Sequence, residues 1–400
     1  MIVPAPVLPT TRDENWKHAP LRGIERLRWA PPTVLTQEAL LAATALLGSE
    51  AQHGAISTRI VLVDGLPCPE LARGPVGGDA AGAVSGVAFH ATDALAQLGA
   101  PAASIDLAFA GLNRHHRQGE LQICVPDGET LELEVVCIAL TCGHPALRID
   151  LGARASLRLF ERHIGVTGAL ANLALSVRLG HGARLEHARL LQPADSSRHF
   201  ETLEAAVGAD AHYRVIQVTS GAAATRSTAL VALEGAEGDL GWYTAVLGAG
   251  TQTHDAYVRV THDAPAVRTE QGFRGIAADR SRIAFNGHMR VTARAPGAHS
   301  AQTLRGLTAG AAAEIDLRPQ LEIDIDDVRA SHGATIGKLD ADMLFYLLSR
   351  GLDPATADSL LKWAFIADVI ARLSDPAWRS RFEDALAPLL PGAHAARSLT

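Results

Sequence analysis

The sequence is poor in aromatic residues and in cysteine. Phe, Trp and Tyr make up 4% of the 400 residues, and no two of the four cysteines, Cys68, Cys124, Cys137 and Cys142, form a CxxC pair. Cysteine-rich zinc sites use closer pairs and disulfide frameworks need an oxidising compartment, so neither is expected. Cys124 and Cys137 lie in strand-like runs, which predicts buried apolar roles for both.

Long apolar runs and basic clusters are also missing. No stretch of about 18 apolar residues occurs, so no transmembrane helix is predicted. The opening MIVPAPVLPTTRDENWKH lacks a basic start followed by an apolar stretch, so no secretory signal is expected. A net charge of -7 without a basic run argues against nucleic acid as a partner. We therefore expect a cytoplasmic protein that binds neither membrane nor nucleic acid.

Sequence motifs of the common enzyme classes are absent as well. The chain has no P-loop, no nucleophile elbow and no zincin motif. We therefore predict a protein that is not an enzyme, and any ATP hydrolysis must come from a partner.

The chain divides into three zones, and the first, residues 1–115, is predicted to be rich in helices and loops. Thr36 is suited to cap a helix over 37–47, because its hydroxyl can accept a hydrogen bond from a free N–H of the first turn. A second helix is predicted over 88–98.

The middle zone, residues 116–335, has the pattern of short strands separated by turns. Apolar or alternating runs of five to six residues occur at 121–125, 131–136, 213–218 and 256–260. A Gly-Ala turn signal recurs at Gly152, Gly182, Gly208 and Gly235, spaced 30, 26 and 27 residues apart, and again at Gly310. Such a period favours a solenoid, with an ordinary β-sandwich as the alternative.

The third zone, residues 336–400, is predicted to be a small helical bundle. Helical periods cover 339–350, 355–373 and 378–390, and Gly351 and Pro354 are suited to end the first helix and begin the second. Three short helices bury their apolar stripes poorly by themselves, so this zone is a candidate docking module.

One long segment carries a resemblance to a known family. Residues 318–340, RPQLEIDIDDVRASHGATIGKLD, and the following LFYLLSRG of 344–351 strongly resemble the SufB/SufD family of iron–sulfur cluster assembly proteins. Phe285-Asn286-Gly287, Gln302-Thr303 and the opening RDENWKHAPLR of 12–22 continue the match. The chain length and this opening favour the SufD branch.

The resemblance implies both a fold and a complex. The fold is mainly β, a right-handed parallel β-helix flanked by helical N- and C-terminal regions. The complex contains SufB, SufD and two copies of the ATPase SufC. The β-helix ends of SufB and SufD pair with each other, the C-terminal helices of each hold one SufC, and nascent cluster chemistry lies at the pairing.

The resemblance makes His332 the main candidate for a role in cluster assembly. With Ser331 it lies in the Ser-His-Gly segment expected at the SufB junction, and a neutral imidazole is a reasonable ligand for iron or a transient iron–sulfur cluster. Some SufD members carry Cys where this chain has Ala330, so ligation shifts towards SufB. The other β-zone histidines are expected at surface or lumen-edge positions: His181, His187, His199, His254 and His262.

The C-terminal zone holds the candidate contacts to SufC. The helix residues are Leu344, Phe345, Leu360, Leu361 and Phe365. Arg350, Gly351 and Asp353 lie between the helices, where a loop tip is accessible.

Two other functional hypotheses stay open. One is a β-helix carbohydrate-active enzyme, which low aromatic content disfavours. The other is a SufB-like cluster-binding homodimer, which needs a cysteine near His332. Pairing of two copies of this chain in isolation is also compatible with the sequence.

Overall fold

The computed structural model describes residues 7–48, 56–74, 86–91 and 104–390. They form a parallel β-solenoid of about eight turns, with helices towards both termini. The helices are α1 (Gln37–Leu47), α2 (Ala108–His116), α3 (Ala341–Ser349), α4 (Pro354–Ile370) and α5 (Pro376–Leu386). The strands are β1 (Arg59–Val63), β2 (Leu66–Pro67), β3 (Val87–Ala91), β4 (Gly119–Val125), β5 (Thr130–Ala139), β6 (Cys142–Gly143), β7 (Ala146–Leu151), β8 (Ser156–Gly165), β9 (Leu170–Leu179), β10 (Arg184–Gln192), β11 (Arg198–Val207), β12 (His212–Ser220), β13 (Ala224–Leu233), β14 (Asp239–Gly248), β15 (Thr253–His262), β16 (Arg268–Ala278), β17 (Arg282–Val291), β18 (Ala298–Ala309), β19 (Glu314–Ile323) and β20 (Val328–Gly337).

Successive strands alternate between two sheets. Sheet 1 runs through β1 and β5 and then the even-numbered strands from β8 to β20, and sheet 2 runs through β4 and β7 and then the odd-numbered strands from β9 to β19. Neighbours in this part of each sheet are parallel: Ser156 lies opposite Arg184, which lies opposite His212. Each coil thus adds one strand to each sheet. The solenoid prediction is confirmed, and the β-sandwich is excluded.

Glycines occur where consecutive coils press their turns together. A Cβ on Gly180 would lie 2.9 Å from the carbonyl oxygen of Leu151, and one on Gly208 would lie 2.6 Å from that of Leu179. Both approaches are closer than a real Cβ tolerates, so only glycine allows the coils to stack at this edge.

The recurrent Gly-Ala signal is a mixture of two kinds of turn. Gly182 is not the stacking glycine of its coil; it has φ +66° and fills the left-handed position that Arg154 and Asp210 occupy in the neighbouring coils. Gly310 lies on the opposite edge of the solenoid, between β18 and β19. The predicted turns are confirmed, but they do not all occupy the same position in the coil.

The lumen between the two sheets contains the main apolar core. Inward-facing side chains of both sheets form one continuous cluster along the solenoid, from Ile60 and Leu62 in β1 to Leu304 and Ile315 near the other end. The outer faces are covered separately, so the solenoid has three apolar layers rather than one.

The N-terminal segment covers the outer face of sheet 2, and α1 covers the start of sheet 1. Trp16 is fully buried and stacks on Phe109 of α2, which stacks in turn on Phe200 of β11. The helix predicted over 37–47 is confirmed, with the Thr36 hydroxyl accepting from the N–H of Ala39 at 3.1 Å.

The helix predicted over 88–98 is wrong where the structure describes it. Val87–Ala91 is a strand that pairs antiparallel with β4, Val87 opposite Ile123. Residues 92–98 lie outside the described residues. The N-terminal zone therefore supplies strands to both sheets, since β1 pairs with β5 as well.

The three C-terminal helices are confirmed, but they do not form a separate bundle. Trp363, Ile366 and Val369 of α4 and Trp378 and Phe382 of α5 are buried against the outer face of sheet 1. The sheet contributes Phe160, Ala188, Leu190, Ile216, Val218, Tyr243, Ala245, Leu247, Ile276 and Leu307 to this layer. Packing on a rigid sheet stabilises helices that are marginal alone.

Candidate functional site at the open end of the solenoid

The last coil of the solenoid is open. Among the described residues, β19 pairs only with β17 and β20 only with β18, so each strand keeps one row of unpaired backbone groups. Nine of the ten β20 residues are exposed, and Ile323 and Ile336 are 41% and 48% exposed. The other end is built differently, because β2 and β3 pair antiparallel with β1 and β4 there.

His332 lies on β20 at this open end. It stands opposite Gln302 of β18 in the row of residues that faces the lumen, and it is exposed because no further coil lies beyond it. Its neighbour Ser331 stands opposite Ala301, on the outward-facing row. The imidazole therefore belongs to the inner rim of the open end and the hydroxyl to its outer rim.

A ladder of glutamines lies behind His332. Gln271, Gln302 and His332 occupy the same register position in three consecutive strands of sheet 1, and the Gln302 amide donates to the Gln271 side-chain oxygen. The other amide oxygen, Oε1 of Gln302, is buried without a partner. A Cβ on Gly287 of the opposite sheet would collide with both glutamines. The family-like Phe285-Asn286-Gly287 and Gln302-Thr303 segments thus meet next to His332.

Ala330 lies on the same inner rim, two residues before His332. It stands opposite Ser300, whose hydroxyl is buried without a partner. A cysteine at this position would point to the same side as the imidazole, whereas the methyl group of alanine cannot bind a metal.

None of the four cysteines provides a ready thiolate. Burial raises the pKa of Cys68 to about 11 and that of Cys142 to about 12, and burial also raises the pKa of Cys124 and Cys137. The buried role predicted for Cys137 is confirmed, whereas Cys124 is half-buried. Thiols in such surroundings are inert, because the thiolate is the nucleophile and the metal ligand.

The residues predicted to contact a partner through the C-terminal helices separate into two groups. Phe345 is 71% exposed, and with Met343 and Tyr346 it forms an apolar face of α3 that nothing in the described chain covers. Leu344 is half-buried at the side of this face. Phe345 therefore has no packing role among the residues that the structure describes.

The candidate residues of α4 are less accessible. Leu360, Leu361 and Phe365 are half-buried, and Phe365 packs against the layer between α4 and sheet 1. The Arg274 guanidinium carbon lies 6.0 Å from the centre of the Phe365 ring. These residues contribute to the fold of this chain as well as to any interface.

The turn between α3 and α4 is exposed at Arg350, Gly351 and Asp353, as predicted for a loop tip. Gly351 has φ +91° and ends α3, a conformation that L-residues rarely adopt. Asp353 caps α4 by accepting from the N–H groups of Ala355 and Thr356 at 3.1 and 3.0 Å. Its hydrogen bonds with Thr356 lower the pKa of Asp353. Asp353 therefore shapes the turn.

A buried charge network in the lumen is the feature that sequence reasoning missed. Arg189 of β10 lies between Glu161 of β8 and Glu201 of β11, with its Nη2 atom 2.9 Å from an oxygen of each carboxylate. The Arg189 side chain also donates to Gln217 at 2.8 Å. All four side chains are buried.

Histidines complete the network. His163 and His187 hydrogen-bond to Glu161, and His199 to Glu201. Burial by itself would raise the pKa of Glu161, but Arg189 and His163 outweigh it and hold that pKa well below its usual range. Of the five β-zone histidines expected at surface or lumen-edge positions, His181 is exposed, but the others are buried: His187, His199, His254 and His262.

Two features are absent from the described residues. No group of three or more His, Cys, Asp or Glu side chains there is arranged to hold a metal ion. No described helix is long and apolar enough to cross a membrane. His332 by itself thus provides one possible metal ligand.

A solenoid whose last coil is open, with helices along its sides, has the form of a subunit built for assembly. Residues 139–365 match a family model described as "SUF system FeS cluster assembly, SufBD core domain". The match covers more than half of the chain, so the chain belongs to the SufBD family. It is a SufD-family iron–sulfur cluster assembly protein.

The curated relatives agree with this assignment. The chain is 26% identical to iron–sulfur cluster assembly protein SufD of Escherichia coli K12, over 96% of this chain and 90% of that protein. It is 24% identical to a SufBD family protein of Synechocystis, slr0076, over 92% and 84%. It is 31% identical to Bacillus subtilis SufD, over 32% and 30%.

Proposed function

We propose that the chain is a non-catalytic scaffold subunit that pairs with SufB through the open end of the solenoid and docks the ATPase SufC through the C-terminal helices. The observation that carries the proposal is the open end itself. Two strands of ten residues each present unpaired backbone there, beside two exposed isoleucines. Natural proteins cover such edges, and a second solenoid end with the same strand spacing would extend both sheets.

At that junction His332 acts on the nascent iron–sulfur cluster, which is cargo and not a resident cofactor. Support for this role comes from the position of His332 on the inner rim of the open end, which a second lumen would face. The inert cysteines of this chain mean that thiolate ligands come from SufB. Gln302, with its free buried oxygen, is placed to hold one imidazole N–H so that the other nitrogen faces the cluster.

The docking surface for SufC is the α3 face. Its exposed Met343, Phe345 and Tyr346 make an uncovered apolar patch, and aromatic and Met side chains of this kind are enriched at interfaces. Arg350 flanks the patch, 5.1 Å from the Tyr346 ring. A motion of SufC on ATP binding would reach the solenoid through α4, which packs directly on sheet 1.

Two substitutions test the two contacts separately. The chain is co-expressed with SufB and SufC, and each partner is measured in the purified product. We expect Phe345→Asp to lose SufC while keeping SufB, and Ile336→Arg to lose SufB while keeping SufC.

The matched control is Val34→Asp, which places a charge on an equally exposed (70%) side chain in the N-terminal segment. Retention of both partners by both interface variants would contradict the proposal. Recovery of a homodimer of this chain with neither partner would favour self-pairing of the open end.

A further inference from the structure

A second concave site lies between the N-terminal segment and the outer face of sheet 2, and its lining extends to β19, the strand of sheet 2 at the open end. The cavity has a volume of about 610 Å³, within the range of small-molecule sites. One wall is formed by residues 17–22 of the N-terminal segment, and the other by the first residues of β11, β13, β15, β17 and β19.

The floor of this cavity has a regular construction. Arg198, Ala224, Thr253 and Arg282 occupy the same register position in four consecutive strands of sheet 2. Three strand spacings separate the two arginines by about 14 Å. The small side chains of Ala224 and Thr253 leave a trough between them, with an arginine at each end.

Positive charge dominates the lining, although the chain as a whole carries a net charge of -7. The lining contains Lys17, Arg22, Arg198, Arg280 and Arg282 as cations. The two carboxylates of the lining are already engaged, since Glu314 pairs with Arg282 at 3.1 Å and Asp316 with His18 at 3.3 Å.

The remaining cations have no such partner among the described residues. Among the described residues, no ion pair is formed by Lys17, Arg22, Arg198 or Arg280. In addition, Nη1 of Arg198 is buried without any hydrogen-bond partner. A buried guanidinium donor left unpaired is costly, and a bound anion is the simplest group that would satisfy it.

We propose that this cavity binds an elongated small molecule with at least two phosphate groups, held at one end by Arg198 and at the other by Arg280 and Arg282. Guanidinium groups suit phosphate because two N–H donors can bind it in parallel. Ala224 and Ala284 line the outer face of sheet 2 between the arginines and supply apolar contact for the part of the ligand between the phosphates. This inference is independent of the proposed pairing with SufB and SufC.

The test is isothermal titration of the full-length chain with pyrophosphate and with ADP at low ionic strength. We expect saturable binding of one equivalent, weakened at least about tenfold by Arg198→Gln or Arg280→Gln, the loss typical of one charge-assisted contact. The control is Arg184→Gln, which removes the same charge from an exposed arginine at the start of a strand in the other sheet.

Binding that Arg184→Gln weakens as strongly as Arg198→Gln would show a nonspecific charge effect and overturn the site. So would the absence of saturation with either phosphate compound, or equal binding of citrate. Circular dichroism of each variant verifies the fold, so that lost binding is not confused with unfolding. Co-purification of SufB and SufC with each variant should stay unchanged.

Discussion

Removing the guanidinium of Arg189 should destabilise the centre of the solenoid strongly. Arg189→Met keeps the length of the side chain but leaves Glu161 and Glu201 buried with no arginine between them. Breaking a buried ion pair on one side typically costs about 3–5 kcal/mol, because the remaining charge stays desolvated. Two carboxylates lose their partner here, so we expect the free energy of unfolding to fall by an amount towards the upper end of that range.

The measurement is urea unfolding followed by circular dichroism, with Arg184→Met as the matched control. Arg184 lies in the same strand but is exposed, so its replacement should change the free energy of unfolding by less than about 0.5 kcal/mol. Adding Glu161→Gln to Arg189→Met should recover part of the loss, because one uncompensated charge is then removed.

An Arg189→Met variant as stable as the Arg184→Met control would refute the reasoning. It would mean that the two carboxylates and their histidines compensate one another without Arg189. Hydrogen exchange of β8, β10 and β11 gives a local check, since coils of a solenoid contact only their neighbours and unfold with them.

Three further predictions follow from burial and exposure. Burial lowers the pKa of His254 to about 4. The same histidine in the unfolded chain binds a proton near pH 6.5. The free energy of unfolding is therefore highest above pH 6.5 and falls as the pH drops towards 4, by about 2 kcal/mol at pH 5. His254→Gln should reduce the pH dependence of the urea midpoint, and an unchanged slope would contradict this. Cys142, whose pKa burial raises to about 12, should react with iodoacetamide at pH 8 only after denaturation; rapid labelling of the native chain would show the burial to be wrong. Met343→Ser should leave the thermal midpoint within about 2 °C while weakening SufC binding, since this side chain is 56% exposed; a large drop in the midpoint would instead indicate a packing role.

Local signals in the sequence predicted the helices well. Thr36, Gly351 and the pair Asp353-Pro354 each act within a few residues of their own position, through a side-chain cap, a left-handed φ or a fixed φ. Those contacts exist in any fold that contains the helix, and the structure confirms them.

Non-local contacts explain the errors. Val87–Ala91 is a strand because it pairs with β4. The sequence of residues 88–98 contains no signal for that pairing. The buried histidines were missed for a related reason. In β10, Ala188 and Leu190 face outward beneath the C-terminal helices, while His187 and Arg189 face the lumen. The alternation of side chains along a strand shows which residues share a face. It does not show which face points into the lumen, because that depends on a helix nearly 200 residues away.

The candidate site shows the same division. The resemblance predicted His332 in a Ser-His-Gly segment at the SufB junction, and the structure shows it exposed on β20 at the open end. The glutamine ladder behind it, and the split of the C-terminal apolar residues into an exposed α3 face and a packed α4 face, require the three-dimensional arrangement.

The most direct test of the scaffold role is the mass of the complex that purifies when this chain is co-expressed with SufB and SufC from the same source. Native mass spectrometry should show one copy of this chain, one SufB and two SufC. A lone monomer or homodimer that ignores both partners would contradict the role proposed for the open end, while leaving the solenoid fold and the family assignment in place.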